Sequence, residues 1–447
     1  MIFSEKTPIQ FQDPLPAQVD VVIIGAGIIG ISTAWFLVKT GVSVLVCEKG
    51  RVAGEQSSRN WGWVRQQSRD AAELPIVIDS VNTWAQLSRE TGEDLGFTRE
   101  GVLYLADNDE ELAKYEQWLE VARQHQLDTR ILNSAEVDKL ITDNPGHWHG
   151  GMFTATDGRA EPFKAVPGIA RAVQRAGGAI RENCAVRTLD IEAGRVIGVA
   201  TELGRIRAQS VVCAAGAWSS LFAGNLDIKL PQLTVRGTVA RTAPAPDFFA
   251  GNAYSNGISF RRRMDGGYTV SASGLNEHFL GADSFRYFFP FLPSLFASTK
   301  YLRLRFGNGA GVDLLKRLTP TRKWNADDIS PFEQSRVLNP PPSETAVRQI
   351  HEQMRLHLPS LAGVALEEAW AGMIDVLPDV VPVMDKVDAY PGLFLATGFS
   401  GHGFGIGPGA GRVMADMVQG RSAAHDLTRF RLSRFTDGSK IIPGPGL

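Results

Sequence analysis

The feature that most constrains this chain is the stretch from Val19 to Glu48, which contains three closely spaced glycines. It has the sequence VDVVIIGAGIIGISTAWFLVKTGVSVLVCE, and its β-branched apolar runs predict a strand, a turn, a helix and a second strand. Gly25 permits a tight turn, Gly27 lets the backbone approach a pyrophosphate, and Gly30 lets the helix pack closely on the strand. Because the helix N-terminus also offers free N–H groups, this unit predicts a dinucleotide-binding site.

Glu48 stands at the end of the second predicted strand. A carboxylate in this position can accept hydrogen bonds from a ribose diol and would repel a 2′-phosphate. We therefore expect a dinucleotide other than NADP.

The composition excludes several classes of protein. A chain of 447 residues is long enough for two domains, and a net charge of −2 gives no electrostatic surface for nucleic acid. Three cysteines exclude a disulfide scaffold, and Cys47 and Cys213 lie in apolar strand patterns that predict buried thiols.

The sequence also bears on location. The first residues lack the basic and apolar regions of a secretory signal, and the apolar run at 288–296 is too short to span a bilayer. We expect a soluble, cytoplasmic protein without a transmembrane span, and we expect no metal site.

The order of the segments predicts an interleaved organisation. Segments of dinucleotide-binding type occur at the start, the middle and the end of the chain, with β-rich insertions between them. This pattern predicts a mixed α/β fold in which a discontinuous nucleotide domain is formed by 17–95, 155–230 and 368–430. Residues 96–154 and 231–367 would form a substrate domain.

Four separated motifs resemble one protein family. They are GAGIIG with Glu48, SSRNWG at 57–62, VVCAAGAWS at 211–219, and PDVVPVMD followed by GLFLATGFSGHGFGIGPGAG at 378–411. Together they resemble the FAD-dependent D-amino-acid oxidase superfamily, in particular its glycine oxidase and sarcosine oxidase-like branch. The resemblance implies a Rossmann-like FAD-binding domain and a second domain whose antiparallel sheet covers the substrate face of the flavin.

The resemblance also implies which residues contact the cofactor. The first glycine motif would hold the pyrophosphate and the ribose, Val186 the adenine, and the last motif the pyrimidine edge of the flavin, where free N–H groups stabilise negative charge. The implied cofactor-binding residues are Gly25, Ala26, Gly27, Ile28, Gly30, Glu48, Lys49, Ser57, Ser58, Arg59, Asn60, Val186, Ala215, Gly216, Gly372, Gly401, His402, Gly403, Phe404 and Gly405.

The chain departs from the family pattern at three positions. Ile374 stands where amino-acid-oxidising relatives carry an arginine that binds the substrate carboxylate, and Gly405 stands where sarcosine oxidases carry a lysine. Gly372 stands where sarcosine oxidases attach FAD through a cysteine, so we expect non-covalent FAD.

Four residues are candidates for catalysis, each with an alternative. Arg65 resembles a substrate-binding arginine, or it is a solvated loop residue. Asp375 would hold a substrate ammonium or cap a turn. His402 would touch the isoalloxazine or serve as hydrogen-bonded scaffold. Lys323 would lie over the flavin and promote reaction with oxygen, although exposure of Lys323, or use of Lys316 instead, is equally compatible with the sequence.

Two further patterns have structural interpretations. The run Arg261–Arg262–Arg263 predicts an exposed strand edge. The aromatic-rich stretch 279–306 is compatible with a lid, a subunit contact or a peripheral membrane contact, and we expect buried packing for it.

The resemblance implies oxidation of the C–N bond of an amino acid or secondary amine to an imine, with hydride transfer to flavin N5. A 2-hydroxy acid dehydrogenase and a non-catalytic flavoprotein are the alternatives. The expected partners are a small amino acid or amine and an electron acceptor, either O₂ or another oxidant. The sequence leaves the substrate, the acceptor and the oligomeric state open.

Overall fold

The glycine-rich stretch forms a strand (Gln18–Ile24), a helix (Ile28–Val38) and a second strand (Val44–Cys47), as predicted. The structure is a computed structural model that describes residues 2–142, 148–298, 302–307 and 322–444. The strands are β1 Gln18–Ile24, β2 Val44–Cys47, β3 Trp63–Val64, β4 Val102–Ala106, β5 Thr129–Asn133, β6 Gly150–Thr154, β7 Gly158–Arg159, β8 Ala179–Arg181, β9 Val186–Glu192, β10 Arg195–Thr201, β11 Gly204–Cys213, β12 Leu233–Thr242, β13 Asn252–Tyr254, β14 Ile258–Arg262, β15 Tyr268–Ala272, β16 Asn276–Phe279, β17 Leu302–Arg305, β18 Leu366–Val376, β19 Val383–Lys386 and β20 Leu393–Thr397.

The helices connect these strands and cover the sheets. The α-helices are α1 Ile28–Val38, α2 Gln56–Arg59, α3 Leu74–Thr91, α4 Asp109–Gln124, α5 Ser134–Leu140, α6 Pro162–Arg175, α7 Ser219–Asn225, α8 Ala282–Arg286, α9 Phe288–Ser298, α10 Pro331–Gln334, α11 Glu344–His357 and α12 Gly403–Val418. Short 3₁₀ turns occur at Gly216–Trp218, Pro359–Leu361, Thr428–Phe430 and Leu432–Phe435.

The smaller sheet has the strand order β19–β20–β11–β1–β2–β8, and β10 and β9 continue it from β11. Strands β20, β11, β1, β2 and β8 are parallel, which explains why β2 is apolar and buried along its whole length. Helix α1 packs against α6 and α12, so segments from the start, middle and end of the chain share one core.

The larger sheet has the order β17–β16–β12–β15–β14–β13–β4–β6–β5, and β18 pairs with β12. Its neighbours are antiparallel except for the pairs β16–β17 and β13–β4, which are parallel. The amphipathic helix α11 buries Ala346, Ile350 and Met354 against this sheet. The predicted mixed α/β fold is confirmed.

The predicted division into two domains stays a prediction; one of its boundaries does not coincide with the sheets, and one segment packs on the other sheet. Strand β18 begins at Leu366 and pairs with β12 of the larger sheet, so the boundary at 368 falls inside that strand. Trp324 and Phe332, which we assigned to the substrate domain, pack with Val186 and Phe222 on the smaller sheet.

Two structural expectations are wrong. Arg261 and Arg263 are 2% and 3% exposed, and each pairs with a carboxylate, so the arginine run is not an exposed edge. In the stretch 279–306, Phe279 is buried, but Phe289 and Phe306 are 80% and 83% exposed, so most of the described aromatic side chains of this segment do not pack into the interior. Residues 299–301 of that stretch, and Lys316, lie outside the described residues.

Within the described ranges, no helix combines the length and the hydropathy needed to cross a membrane. The same residues contain no group of three or more His, Cys, Asp or Glu side chains arranged to hold a metal ion. Cys47 and Cys213 are buried, as predicted, and so is Cys184.

Candidate cofactor cleft and substrate-side loop

The turn between β1 and α1 has room only for glycine at two positions. Gly25 has φ +102°, and a Cβ there would lie 2.6 Å from the carbonyl oxygen of Ala214. A Cβ on Gly30 would lie 2.0 Å from the carbonyl oxygen of Gly25. The missing side chains therefore let β1, α1 and the end of β11 meet closely.

Glu48 closes this turn from the end of β2. Its carboxylate accepts hydrogen bonds from Ala26 N at 2.8 Å and from Gly50 N at 2.7 Å. Burial raises the pKa of Glu48 to about 7, against the opposing effects of Lys49 and these two N–H donors. Each oxygen keeps a second lone pair with which it can accept a ribose hydroxyl.

Ser57, on the short helix α2, lies over the N-terminus of α1. Its Oγ accepts a hydrogen bond from Ile28 N at 2.9 Å, and a Cβ on Gly27 would lie 3.1 Å from the same oxygen. The helix N-terminus, Gly27 and Ser57 thus converge on the place where a pyrophosphate would bind.

These residues line one cleft, which is partly open to solvent. Its walls come from the glycine turn, the end of β2, the loop before α2, the end of β11 and one residue of β18. The predicted residues that line it are Gly25, Gly27, Glu48, Lys49, Ser57, Val186, Ala215, Gly216 and Asp375. The closely approaching backbone, the helix N-terminus and the carboxylate fit the ADP portion of FAD.

Sequence reasoning missed a second wall of the cleft. Lys49 Nζ binds Glu55 Oε1 at 2.8 Å and the carbonyl oxygens of Ser335 and Arg336. Trp218 Nε1 donates to the same Glu55 carboxylate at 2.9 Å. Glu55 adjoins the SSRNWG motif and could have been noticed, whereas Arg336 approaches from a distant segment that carries no local signal.

Several predicted cofactor residues do not line this cleft. The Arg59 guanidinium is buried and donates to the carbonyl oxygens of Phe3, Gly54 and Ala371 and to Asn339 Oδ1. The other predicted residues outside the cleft belong to helices and turns or make packing contacts. They are Ala26, Ile28, Gly30, Ser58, Asn60, Gly372 and the block from Gly401 to Gly405.

The block from Gly401 to Gly405 begins helix α12. A Cβ on Gly405 would lie 3.1 Å from Trp63 O and 3.5 Å from Arg65 N, so β3 crosses directly over this turn of the helix. The Gly405 carbonyl accepts hydrogen bonds from Ser80 Oγ and Trp84 Nε1. The position of the sarcosine oxidase lysine is therefore filled here by backbone.

Asp375 lies at the end of the cleft and binds the backbone that leads into α12. Its Oδ2 accepts from Gly398 N at 2.8 Å and from Gln232 Nε2 at 3.3 Å. Burial raises the pKa of this carboxyl group. These partners are distant in sequence, so Asp375 fixes a separate backbone segment and does not cap a local turn; it also faces the cleft.

Residues 61–70, which we call the substrate-side loop, follow α2 and contain Arg65. The Arg65 guanidinium lies 5.9 Å from the Trp63 ring centre and 5.5 Å from that of Tyr104, and Nη1 donates to Gln67 O. Asp157 fixes the loop by accepting hydrogen bonds from Gln66 N at 2.7 Å and Gln67 N at 3.1 Å. Arg65 is therefore held against aromatic rings and is not a freely solvated loop residue.

His402 faces a carboxylate that sequence reasoning missed. Its Nδ1 lies 3.1 Å from Glu73 Oε2, and both side chains are buried. Burial lowers the pKa of His402, Glu73 opposes this shift, and Arg69 and Arg65 add to it. Glu73 directly precedes α3 and carries no motif that indicates this contact.

The structure does not bring Lys323 to either region. Its Nζ donates to Asn225 O at 2.9 Å and pairs with Asp227 at 2.7 Å in an exposed ion pair.

Phe404 packs on Trp84 with ring centres 5.1 Å apart, in the core of the smaller sheet.

The chain matches a family model and several characterised proteins. The model, DAO: FAD dependent oxidoreductase, matches residues 20–417. The solved structure of an L-amino acid deaminase from Proteus myxofaciens, in complex with anthranilate, is 30% identical with a TM-score of 0.91, and the match covers 96% of each chain.

Two curated relatives are sarcosine enzymes. Human peroxisomal sarcosine oxidase is 24% identical over 93% of this chain and 96% of its own length. Mouse mitochondrial sarcosine dehydrogenase is 25% identical over 96% of this chain, but the match spans only 43% of that longer protein. The matches confirm the predicted resemblance, the FAD cofactor and the oxidoreductase class.

Proposed function

The chain belongs to the DAO family of FAD-dependent oxidoreductases, and from that premise we propose that it oxidises the C–N bond of an amino acid or secondary amine to an imine. FAD, when bound, supplies a hydride acceptor at N5. The relatives are named for sarcosine and L-amino acids, which share a C–N bond next to a carboxylate.

One observation carries the proposal beyond the family. Arg65 is held between aromatic rings, and its backbone N lies beside Gly405 in the motif that the resemblance assigns to the flavin. A guanidinium in this position can bind a carboxylate in two parallel hydrogen bonds and orient the adjacent carbon. Arg65 would then replace the arginine that is absent at Ile374.

We infer that FAD is held without a covalent bond. The position of the attachment cysteine is Gly372, where a Cβ would lie only 2.6 Å from Gln56 Oε1. In its place, the chain offers the Gly25–Gly30 turn, Glu48 and Ser57 as non-covalent contacts. Acid precipitation should release all the flavin into the supernatant.

The test of the proposed reaction is an anaerobic screen. Amino acids, N-methyl amino acids and polyamines are added to the FAD-loaded protein, and bleaching of the visible flavin band is recorded. We expect bleaching by at least one carboxylate-bearing amine. Bleaching by 2-hydroxy acids alone would support a hydroxy-acid dehydrogenase, and the absence of any bleaching would support a non-catalytic flavoprotein.

The electron acceptor is tested separately. Reduced enzyme is mixed with oxygen in a stopped-flow instrument, and reoxidation is followed. Rapid reoxidation assigns an oxidase, whereas slow reoxidation assigns a dehydrogenase that uses another acceptor.

The exposed aromatic face of α8 and α9 favours an intermolecular role, and we propose a peripheral contact with a membrane surface. Phe285, Phe289 and Phe296 are exposed, and Arg286 lies beside them. Co-sedimentation with anionic vesicles tests this proposal. Gel filtration tests the subunit contact, and a dimer without vesicle binding would favour that alternative.

A further inference from the structure

Residues 331–338, which we call the strap, form an outer wall of the cofactor cleft. They comprise helix α10 (Pro331–Gln334) and the four residues that follow it. The strap is distant in sequence from the glycine turn, yet it contributes Phe332 and Arg336 to the lining of the cleft. No residue of the strap belongs to a β-strand, so contacts with side chains, and not a sheet, hold it against the cleft.

The start of the strap is anchored on the smaller sheet. The buried ring of Phe332 has its centre 6.0 Å from that of Trp218 and 5.4 Å from that of Trp324. The Glu333 carboxylate accepts hydrogen bonds from Arg187 Nη2 at 2.6 Å and from Arg187 Nε at 3.1 Å. Aromatic packing and a two-point ion pair therefore fix this end.

The other end of the strap is held by Lys49, for which the sequence predicted a contact with the cofactor. Lys49 Nζ donates to Ser335 O at 2.8 Å, to Arg336 O at 2.9 Å and to Glu55 Oε1 at 2.8 Å. An ammonium group has three hydrogens, so these three acceptors use all of its donor capacity. Glu55 also accepts a hydrogen bond from Leu338 N at 3.1 Å. Lys49 and Glu55 together therefore fasten the strap across the cleft.

The Arg336 side chain provides a second fastening. Its guanidinium donates to Glu202 Oε2 at 2.6 Å and to Lys49 O at 3.1 Å. The Glu202 carboxylate is itself fixed by Ala185 N at 2.7 Å. A Cβ on Gly50 would lie 2.1 Å from Arg336 O, so the strap lies directly on the backbone that follows β2.

The two ends of the strap differ in how easily they can separate from the cleft. Phe332 is buried, whereas the side chains of Glu55 and Arg336 are 24% and 25% exposed. Water can replace partly exposed ionic contacts at a small cost, but it cannot replace the packing of a buried aromatic ring. The strap can therefore open at the end held by Lys49 while the Phe332 end stays in place.

We propose that the strap is a gate for the cofactor. It opens at the end held by Lys49 to admit FAD and closes over the part of the cleft that fits ADP, so that Lys49, Glu55 and Arg336 set the rate of FAD exchange. Lys49 then acts as a latch and not as a contact of the cofactor. This proposal depends on FAD binding in the cleft and is independent of the substrate and the reaction.

A gate and a direct contact have different effects on the rates of FAD exchange. A closed gate slows both entry and release, so its removal accelerates both and changes the Kd little. The loss of a direct contact raises mainly the release rate and weakens binding by the same factor. Measuring both rates therefore separates the two roles of Lys49.

The test measures association and release of FAD by the change in FAD fluorescence. FAD is mixed with FAD-free protein, and FAD-loaded protein is diluted. We expect Lys49→Met and Glu55→Gln each to raise both rate constants by about 10-fold and to change the Kd by less than about threefold, because each weakens charge-assisted hydrogen bonds of the closed strap. The double variant should resemble the single variants, because both residues fasten one segment.

The matched control is Lys39→Met. Lys39 pairs with Glu90 at 2.7 Å and is not among the residues that line the cleft, so both rates should equal those of the wild type. If Lys49→Met raises the release rate alone and weakens binding equally, the gate is overturned and Lys49 contacts the cofactor directly. Unchanged rates in both latch variants would also overturn the proposal.

A second measurement uses only the wild type. Hydrogen–deuterium exchange with peptide mass spectrometry compares the FAD-loaded and FAD-free protein. We expect FAD to slow exchange at Val337 and Leu338, whose N–H groups donate to carboxylates, because a ligand that contacts the closed strap favours the closed state. Helix α4 should exchange equally in both forms. Equal exchange of the strap with and without FAD would overturn the proposal even if the latch variants failed to fold.

Discussion

The cofactor cleft and the substrate-side loop are built in opposite ways. The cleft uses backbone: Gly25 and Gly30 allow close approach, and Glu48 and Ser57 bind backbone N–H groups at the ends of β2 and α1. The loop uses side chains, with Arg65 stacked on aromatic rings from β3 and β4. A site formed by backbone atoms tolerates few substitutions. In a site formed by side chains, the substitution of a single residue can change which ligand binds.

The largest effect is expected where the cleft has no space. Gly25→Ala would place a Cβ 2.6 Å from Ala214 O at φ +102°, so we expect loss of bound FAD. Gly41→Ala is the matched control, because Gly41 also has a positive φ but no atom lies within 4 Å of its Cβ position. The flavin-to-protein absorbance ratio measures both. Full FAD content in Gly25→Ala would show that the turn does not hold the cofactor.

In the loop, a side chain can be removed while the cleft stays intact. We expect Arg65→Leu to retain FAD and to lose about 100-fold in kcat/KM for an amino-acid substrate, because a bidentate contact to the carboxylate is removed. Anaerobic reduction kinetics and flavin content measure the two effects separately. If the variant loses FAD as well as turnover, the loop helps to hold the cofactor. The cleft and the loop would then not be independent regions.

This contrast also explains what the sequence could predict. The glycine turn, Glu48 and the interleaved fold follow from local patterns, because backbone geometry dictates which residue types fit. Asp157 and Glu73 could not be found in this way, since each acquires its role from an element that is distant in sequence. The prediction for the arginine run is wrong for the same reason. Glu161, the carboxylate that pairs with the buried Arg261, lies about 100 residues away in the sequence.

The two regions also contain buried carboxylates whose pH dependence can be compared. Burial raises the pKa of Glu48 to about 7 and that of Asp157 to about 6, so the folded chain binds these protons more tightly than the unfolded chain. The stability of FAD-free protein should therefore fall as pH rises from about 4 to 7, by up to about 3 kcal/mol for each group. Urea unfolding at several pH values measures this decrease.

Substitution assigns the pH dependence to one region or the other. Glu48→Gln should remove the part of the decrease that extends to pH 7, and Asp157→Asn the part that ends near pH 6. FAD should suppress only the Glu48 contribution, because Glu48 lines the cleft. Equal suppression of both contributions would show that the two regions are energetically coupled.

The smallest effect is expected from Lys323, which belongs to neither region. Its ammonium group is held in an exposed pair with Asp227, and such pairs contribute little to stability. We therefore expect Lys323→Ala to change flavin content, substrate reduction and reoxidation by oxygen by less than about twofold. Stopped-flow measurement of both half-reactions checks this expectation. A selective loss of oxygen reactivity would mean that Lys323 reaches the flavin in the working enzyme. Residues outside the cleft and the loop would then also contribute to the reaction.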